Sequence, residues 1–311
     1  MMAMADGAVR LGILKAVGST PLVEVDFGFR AKVFAKLECL NPGGSMKDRS
    51  ALFMVEEAER KGLLSPGGTI VECSSGNQGA SLAMIGAVKG YKVIIVCSRK
   101  ISAEKLDAMR AYGAETVMCP DTRLVTDRRN SHSVANSLSR KISGSFMPNQ
   151  YYSLSNPEAH YLTLGPEIWA QTGGKITHFF AAAGTGGTVS GAGKYLKEKN
   201  PRIKVIAVDA ATSFRATKGR PKPYRLEGIG LDFDTPCFDA GVVDETLCVT
   251  DRQAIGMMRS LASRHGLLCG TSSGAVAYAV NKHAEKMGQN DLAVMVMGDS
   301  GRAYLSKGYF R

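Results

Sequence analysis

The sequence predicts an α/β protein with two lobes, in which parallel-rich, twisted sheets are flanked by helices. Apolar, β-branched runs alternate along the 311 residues with helix-like stretches, which is the pattern of parallel strands joined by helical crossovers. The run YKVIIVC at 91–97 is apolar on both faces, as a central parallel strand is. The alternation occurs in two blocks joined near residues 120–155, and two blocks indicate two lobes.

The first block predicts strands and helices in alternation. Apolar runs such as AKVFAKL and GTIVEC define its strands, which are expected at 31–37, 68–73, 91–97 and 115–119. Its helices are expected at 50–61, 80–89 and 103–112. Gly62 marks the end of the first helix, and Gly113 is placed to form the C-terminal cap of the third.

The second block repeats this alternation. Its strands are expected at 176–182, 203–209 and 292–297. Its helices are expected at 157–172, 188–199, 252–265 and 273–287. In open α/β sheets, ligands bind beyond the carboxyl ends of the strands. The loops that follow the strands are therefore the expected positions of a functional site.

Composition and charge argue against several classes of protein. Apolar residues make up 44% and charged residues 22% of the chain, which is typical of globular proteins and not of disordered ones. No apolar run reaches the roughly 18 residues of a membrane span, and residues 1–18 do not resemble an export signal. The net charge of +11 suggests an anionic partner or a solvated basic surface, and the scattered cations favour the second. One basic segment, 215–225, contains no acidic residue.

The cysteine pattern argues against both disulfides and zinc. The seven cysteines are an odd number, and no pair has CxxC spacing; they stand at 39, 73, 97, 119, 237, 248 and 269. Such a set does not form a disulfide framework or a zinc knuckle. We expect reduced thiols, a cytoplasmic location and no metal site.

The loop GTGGT at 184–188 follows a predicted strand and opens a predicted helix. Free N–H groups and the positive end of a helix dipole bind phosphate at such a position, where glycines allow close approach. The dinucleotide pattern fails because Val189 stands where a third glycine is needed, and no lysine is followed by Ser or Thr as the Walker pattern requires. The loop predicts a site for one phosphate, with a glycine-rich turn without ligand as the alternative.

Three further loops lie at helix starts. Lys47 stands in NPGGSMKDR at 41–49, near the start of a predicted helix. The helix dipole disfavours the protonated amine there and so lowers its pKa, as Schiff-base chemistry requires. The alternative is a solvated lysine. The loop CSSGNQG at 73–79 offers hydroxyls and N–H groups suited to a carboxylate, or a simple serine-rich cap. The loop GTSSG at 270–274 is the third.

The motifs NPGGSMKDR, SSGNQG, GTGGT and GTSSGA, in this order, resemble the fold-type II pyridoxal-phosphate enzymes, whose fold is tryptophan synthase β-like. They are most similar to the cysteine synthase and cystathionine β-synthase group, and the resemblance runs from about Gly18 to Phe310. It implies a smaller mobile lobe at about 42–150. The larger lobe, 1–41 plus 151–311, would bind the cofactor phosphate.

The resemblance also implies a role for each matching position. Lys47 would form the internal aldimine with pyridoxal 5'-phosphate and act as the base at the substrate Cα. The cofactor phosphate would be held by Gly184, Thr185, Gly186, Gly187 and Thr188. Asn77 would hydrogen-bond the ring hydroxyl, and Ser272 would face the pyridine nitrogen. The substrate carboxylate would be received by Ser74, Ser75, Gly76, Gln78 and Gln150, and Gly228 would lie near the substrate amine.

The implied activity is β-replacement on an activated L-serine such as O-acetylserine, through an α-aminoacrylate. Sulfide or a thiol would be the nucleophile, and L-cysteine or cystathionine the product. NPGGSMKDR and AYGAE also resemble 2,3-diaminopropionate synthases, which use O-phosphoserine and an amine. A non-enzymatic alternative is a protein that binds serine acetyltransferase.

Several positions depart from the commonest family pattern. Ser74 and Gln78 stand where the family most often has threonines, which leaves the details of substrate binding open. SHSVANSL, EGIGLDF and GLLCGTSSG resemble cystathionine β-synthases more than cysteine synthases. Arg225, at the end of the basic segment, precedes the EGIG turn and is a candidate for recognising an anionic leaving group, with a solvated loop as the alternative.

The remaining expectations concern other side chains and partners. His160 is expected to be structural, as is His132, which lies in the connection between the lobes. Tyr151, Tyr152 and Tyr304 are candidates for the mouth of the pocket. Small amino-acid substrates and a homodimer are expected from the resemblance, serine acetyltransferase is a possible partner, and neither nucleic acid nor a membrane is expected.

Overall fold

The structure, a computed structural model, describes residues 12–120, 122 and 127–311. The strands of this part of the chain are β1 (Leu22–Glu24), β2 (Lys32–Lys36), β3 (Thr69–Cys73), β4 (Lys92–Ser98), β5 (Glu115–Cys119), β6 (Ser145–Phe146), β7 (His178–Ala182), β8 (Lys204–Ala210), β9 (Glu245–Val249) and β10 (Leu292–Val296). The helices are α1 (Lys47–Arg60), α2 (Asn77–Lys89), α3 (Ala103–Ala111), α4 (Ser131–Lys141), α5 (Ser155–Leu162), α6 (Leu164–Gln171), α7 (Gly187–Lys199), α8 (Asp251–His265) and α9 (Thr271–His283). Short 3-10 helices lie at Ile13–Ala16, Glu38–Leu40, Ala284–Lys286 and Gly301–Lys307.

The larger sheet has the strand order β1-β2-β10-β7-β8-β9. Only the β1–β2 pair is antiparallel within this sheet. Phe180 and Ile206 share a core with residues of α8 and α9, whereas Phe179 and Val205 share one with residues of α6 and α7. Both faces of the sheet are therefore covered, which explains the continuous apolar runs of its central strands.

The smaller sheet is parallel throughout and has the order β5-β4-β3-β6. Ile95 of β4 belongs to the core that contains residues of α1, α2 and α3, and Val96 belongs to the core on the α4 side. This confirms the predicted α/β class, with parallel-rich sheets and flanking helices.

The order of the elements brings several loops to the carboxyl ends of the strands. The chain leaves β3 at Cys73 and enters α2 at Asn77, and it leaves β7 at Ala182 and enters α7 at Gly187. Since parallel strands end at the same edge of a sheet, these loops lie where a ligand is expected.

The predicted helix at 157–172 is wrong as a single element, because the structure divides it into α5 and α6 at Thr163. Thr163 has φ −123° and ψ −63°, which is not helical. Pro166 lacks the N–H that would continue the first helix, and it is tolerated in the first turn of α6. The predicted helix at 273–287 is also shorter, since α9 ends at His283 and a 3-10 turn follows.

Four elements were not predicted from the sequence: β1, α4, β6 and β9. The strands among them have two to five residues, and α4 lies in the segment interpreted only as a connection. No helix of the described residues is both long and apolar enough to cross a membrane.

Candidate active site

A cavity of about 530 Å³ lies where the predicted loops meet, and a smaller inner cavity of about 20 Å³ adjoins it. The residues that line both are Lys47, Asn77, Gly184, Thr185 and Gly228. Every site residue predicted from the sequence lines one or both cavities, except Gly187. The fold therefore brings together loops that are far apart in the sequence.

Lys47 is the first residue of α1, and its half-buried side chain lines both cavities. Burial lowers the pKa of Lys47 to about 8, although Cys237 and Asp299 oppose the shift. Within the described part of the chain, Lys47 Nζ has no hydrogen-bond or ion-pair partner. Such an amine is available as a nucleophile or base near neutral pH.

Buried ion pairs hold the start of α1. Arg49 Nε donates to Glu38 Oε2 at 2.7 Å, and Arg49 Nη2 donates to Glu167 Oε2 at 2.7 Å. Lys36 Nζ contacts the same Glu167 oxygen at 2.7 Å. Glu38 follows β2 and Glu167 lies on α6, so this network fixes Lys47 relative to the larger sheet.

The serines of the loop between β3 and α2 organise its backbone. Ser74 Oγ accepts a hydrogen bond from the Gly76 N–H at 3.3 Å. Ser75 Oγ accepts one from the Ser98 N–H at 2.7 Å, which ties the loop to β4. The loop lines the larger cavity with small polar groups, a lining suited to a carboxylate.

The two predicted glutamines have different surroundings. Gln78 is buried, and its Oε1 accepts from Ser50 Oγ at 3.3 Å, so its amide faces α1. Gln150 is also buried, and its backbone carbonyl accepts from Asn156 Nδ2 at 2.8 Å. Both residues line the larger cavity.

Glu72 on β3 anchors the segment that carries Gln150. Its Oε2 accepts from the Asn149 N–H at 2.7 Å, and its Oε1 accepts from the Cys73 N–H at 2.9 Å. Burial raises the pKa of Glu72 to about 8, although backbone N–H donors oppose the shift. This role could not be predicted from the sequence, because a glutamate inside a predicted strand does not reveal which residues it contacts.

Close packing explains the glycines of the loop at 184–188. A Cβ on Gly184 would lie 2.8 Å from the Gly228 carbonyl oxygen. Gly186 has φ +89°, a conformation that favours glycine. Within the residues that the structure describes, the N–H groups of Thr185 and Gly186 have no hydrogen-bond acceptor. The loop therefore offers free donors at the start of α7, as an anion site requires.

Two buried side chains of α5 support the threonines of this loop. Asn156 Nδ2 donates to Thr185 Oγ1 at 2.9 Å, and His160 Nε2 lies 3.1 Å from Thr188 Oγ1. Burial and the nearby cations hold the pKa of His160 well below its usual value. The neutral His160 packs behind the loop, in agreement with its predicted structural role.

Arg215 supports the same loop from its carbonyl side. Its Nη2 donates to the carbonyls of Ala183, at 2.5 Å, and Gly184, at 3.1 Å, while its Nε donates to the buried Asp209 Oδ2 at 3.1 Å. Arg215, the first cation of the basic segment, therefore hydrogen-bonds to groups of the fold itself.

Gly228 and Ser272 lie together at the inner cavity. A Cβ on Gly228, which has φ +74°, would lie 3.5 Å from Ser272 Oγ. The Glu227 N–H donates to Thr271 Oγ1 at 2.9 Å and joins the EGIG turn to the start of α9. This hydrogen bond explains why the EGIG turn and the start of α9, more than forty residues apart in the sequence, form one wall of the inner cavity.

Asp299 is a residue of the inner cavity that the sequence did not reveal. Its Oδ2 accepts from Asn77 Nδ2 at 2.8 Å and from the Tyr304 hydroxyl at 2.5 Å. Tyr304 is fully buried and supports Asp299, so it is not part of the pocket mouth.

The other predicted aromatic residues form a cluster beside the larger cavity. The His132 ring lies 5.2 Å from the Tyr151 ring and 5.9 Å from the Phe233 ring. Tyr151 lines the cavity, whereas Tyr152 is exposed and does not. Among the described residues, no group of three or more His, Cys, Asp or Glu side chains is arranged to hold a metal ion.

A family model described as pyridoxal-phosphate dependent enzyme matches residues 13–299. The chain belongs to this family. Cystathionine beta-synthase of Apis mellifera is 42% identical over 304 residues, covering 95% of this chain and 60% of that protein. Cysteine synthase of Staphylococcus aureus is 40% identical over 299 residues, covering 94% of this chain and 95% of that protein. These findings confirm the family and the cofactor class that the motifs predict.

The fold of this pyridoxal-phosphate dependent enzyme also matches a solved relative. The crystal structure of O-acetylserine dependent cystathionine beta-synthase from Helicobacter pylori aligns with a TM-score of 0.91 and 34% identity, covering 98% of this chain and 100% of that chain. The chain thus spans only about 60% of the Apis mellifera relative, but nearly all of the two bacterial ones.

The residues of the inner cavity fit pyridoxal phosphate. The N–H groups of Thr185 and Gly186 suit its phosphate, and the absence of a Cβ on Gly184 lets this loop lie against the Gly228 carbonyl. The Lys47 amine suits its aldehyde, and the Ser272 hydroxyl is a neutral partner for its ring nitrogen. The set contains the anion site, the amine and the neutral donors that the cofactor requires.

The larger cavity of this pyridoxal-phosphate dependent enzyme is cationic on one side. Besides Lys47, the described cations in its lining are Lys100, Lys105, Arg225 and Lys307. Glu227 is the one acidic residue of the described lining; its carboxylate lies 2.7 Å from Lys105 Nζ and 3.4 Å from Lys307 Nζ. Arg225 is exposed, and its guanidinium lies 5.2 Å from the Tyr309 ring centroid. Of the cations of the basic segment, Arg225 alone reaches the described lining.

Proposed function

We propose that this chain catalyses β-replacement on an activated L-serine such as O-acetylserine. The nucleophile is sulfide or a thiol, and the product is L-cysteine or cystathionine. The relatives named cysteine synthase and cystathionine beta-synthase support this reaction class. The observation that carries the proposal is the Lys47 amine, which has no partner among the residues that the structure describes. It lines both the larger cavity, beside the loop at 73–79 (the serine loop), and the inner cavity, beside the loop at 184–188 (the glycine loop).

The proposed cofactor site uses residues of both cavities. Pyridoxal phosphate, when bound, supplies an aldehyde that links to amines and a ring that withdraws electrons from the Cα of an amino acid. The loop at 184–188 holds its phosphate, Asn77 contacts its ring hydroxyl and Ser272 faces its ring nitrogen. A neutral serine there stabilises positive charge on the ring less than a carboxylate would, which favours elimination chemistry over transamination.

The proposed roles toward the substrate follow from the same geometry. Ser74, Ser75, Gly76 and Gln150 bind the substrate carboxylate, and the EGIG turn at Gly228 lies beside its amine. Lys47 removes the proton from Cα and later returns it. A pKa of about 8 suits this exchange near neutral pH, because the amine is neither permanently charged nor a weak base.

The proposed substrate entry involves movement of a smaller lobe, residues 42–150. Contacts across the cavity support a closed state. Lys105 of α3 pairs with Glu227 of the EGIG turn at 2.7 Å, and Glu104 accepts from the Ser306 N–H at 2.6 Å and from its hydroxyl at 2.7 Å. These polar contacts must separate to widen the entrance.

A second candidate is an anionic donor, O-phosphoserine, with an amine as the nucleophile, as in 2,3-diaminopropionate synthases. The cationic side of the cavity favours it, and Arg225 is the cation of the basic segment that lines the described cavity. Arg225→Ala is expected to lower kcat/KM for O-phosphoserine at least tenfold while leaving O-acetylserine within about twofold, because a charge-assisted hydrogen bond contributes about 1.5–3 kcal/mol. Equal effects on the two donors would contradict this candidate.

The proposed assembly is a homodimer in the cytoplasm. The seven free cysteines are in keeping with a reducing compartment. We further propose that the serine loop can accept the C-terminal carboxylate of serine acetyltransferase. Light scattering on the purified protein tests the dimer. Competition between the acetyltransferase tail peptide and O-acetylserine tests the partner.

The main experiment measures products by mass spectrometry for each donor (O-acetylserine, O-phosphoserine, L-serine) with each nucleophile (sulfide, homocysteine, an amine). Lys47→Ala is expected to lower the rate by at least about 10²-fold, as loss of an acid–base group does. Lys61→Ala, at the other end of α1, is the matched control. Wild-type protein loaded with pyridoxal phosphate that forms no product from any pair would refute the proposed function.

A further inference from the structure

We propose that Asp299 is a positioning residue that orients the Asn77 amide toward the cofactor ring. Asp299 follows β10 and is 2% exposed. Its Oδ2 accepts a hydrogen bond from Asn77 Nδ2 at 2.8 Å, across 222 residues of sequence. Both residues line the inner cavity.

The chemistry of the amide explains why this contact fixes an orientation. An asparagine side chain carries two donor N–H bonds on one atom and an acceptor on the other, and it can flip between two similar shapes. Asp299 Oδ2 also accepts a hydrogen bond from the Tyr304 hydroxyl, so this oxygen acts as an acceptor and pairs with the nitrogen, not with the oxygen, of Asn77. The nitrogen keeps a second N–H, which is then available to a ring hydroxyl beside it.

Two neighbours fix the carboxylate itself. The Tyr304 hydroxyl donates to the same Asp299 oxygen at 2.5 Å, and Tyr304 is fully buried. A Cβ on Gly270 would overlap Asp299 Oδ1, so the glycine makes room for the carboxylate. The Asp299 side chain therefore cannot rotate together with the Asn77 amide, and the amide takes the orientation that Asp299 sets.

The inference depends on binding of the cofactor and not on which donor or nucleophile the enzyme uses. It concerns a residue that acts through Asn77, so its effect must disappear when Asn77 is absent. A double-mutant cycle detects such dependence.

The test uses the apoprotein titrated with pyridoxal phosphate. The variants are Asp299→Ala, Asp299→Asn, Asn77→Ala and the Asp299→Ala/Asn77→Ala double variant. Two quantities are measured: the dissociation constant, and the absorption spectrum of the bound cofactor, which reports on the ring hydroxyl. Tyr304→Phe is a partial variant, since it removes one of the two hydrogen bonds that hold Asp299 Oδ2 and leaves Asn77 its partner. Asp107→Ala is the matched control, because Asp107 is an exposed aspartate of α3 that lines neither cavity.

We expect Asp299→Ala to weaken binding about tenfold, the effect of losing one hydrogen bond to a charged group, and to change the spectrum. Asp299→Asn keeps an acceptor oxygen and should stay within about twofold of wild type. The double variant should bind like Asn77→Ala alone. Tyr304→Phe should lose less affinity than Asp299→Ala, and Asp107→Ala should keep the wild-type affinity and spectrum.

Three results would overturn the inference: wild-type affinity and spectrum in Asp299→Ala, a tenfold loss in Asp299→Asn, or additive losses in the double variant. Thermal unfolding of each apoprotein separates loss of folding from loss of binding, and Asp299→Asn covers the case in which the alanine variant does not fold. Failure of the wild type to bind pyridoxal phosphate would refute the proposed function as well, so the two failures are distinguishable.

Discussion

Glu72 gives the protein a distinctive pH dependence of stability. Its carboxyl is fully buried, and burial raises its pKa to about 8 from an ordinary value of 4.5. The folded protein thus holds this proton more tightly than the unfolded chain does. The resulting stabilisation is fully present below about pH 4.5 and is lost as the pH rises towards about 8. Each pH unit inside this window lowers the free energy of unfolding by about 1.4 kcal/mol.

Between about pH 5.5 and about pH 7.5, these two pKa values give a loss of about 2.5 kcal/mol. Glu72→Gln retains the shape of the side chain but cannot titrate. Urea unfolding of the two apoproteins at both pH values should therefore show the free energy of unfolding of the wild type falling by about 2.5 kcal/mol relative to the variant. Any constant cost of the substitution cancels in this difference.

Glu115→Gln on β5 is the matched control, because Glu115 is an exposed glutamate of the same sheet. It should follow the wild type at both pH values. If Glu72→Gln and the wild type lose the same free energy between the two pH values, burial does not control the Glu72 proton and the reasoning fails.

Three further predictions concern the site. Gly187→Ala should weaken the binding of pyridoxal phosphate more than the binding of pyridoxal in equilibrium titrations, because a Cβ there would overlap the side-chain oxygen of Asn156 and displace the loop at 184–188. Equal losses of affinity for the two ligands would contradict this. Lys47→Ala should remove the visible absorbance that mixing wild-type protein with pyridoxal phosphate produces, since no other lysine lines the described inner cavity. Glu227→Gln should speed amide hydrogen exchange in α3 by removing the 2.7 Å pairing with Lys105, and an unchanged exchange rate would argue against this contact as a closure element.

Sequence patterns could predict most of the site, because its donors come from backbone and short side chains in loops. The GTGGT loop needs only glycines and a helix start to bind an anion, and both are visible in the sequence. The position of Lys47 at the start of α1 was predicted on the same grounds. The expected lowering of its pKa agrees with the structure, but the cause there is burial and not the helix dipole.

The supporting residues could not be predicted, because their roles come from distant neighbours. Asp299 acts on Asn77, 222 residues away, and Glu72 acts on Asn149, 77 residues away. The sequence around an acidic residue at the end of a buried strand does not indicate which distant residue its side chain contacts. Arg215 shows the same limit: it stands in the basic segment, in which only Arg225 was a candidate for substrate binding, and its contacts with the carbonyls of Ala183 and Gly184 had no local signal.

The first turn and the middle of α1 have different contacts, which explains how the proposed lobe movement and cofactor binding can coexist. Arg49, in the first turn, pairs with Glu38 and Glu167 of elements beside the larger sheet. Val55, further along the helix, belongs to the core that contains Ile70 of the smaller sheet. Removing one partner of a buried ion pair costs about 3–5 kcal/mol, so the first turn is the more strongly held end. When the proposed smaller lobe moves, α1 should therefore bend or pivot beyond Arg49, so that residues 42–49 of that lobe stay with the larger sheet. The Lys47 amine then keeps its distance to the glycine loop while the serine loop approaches it.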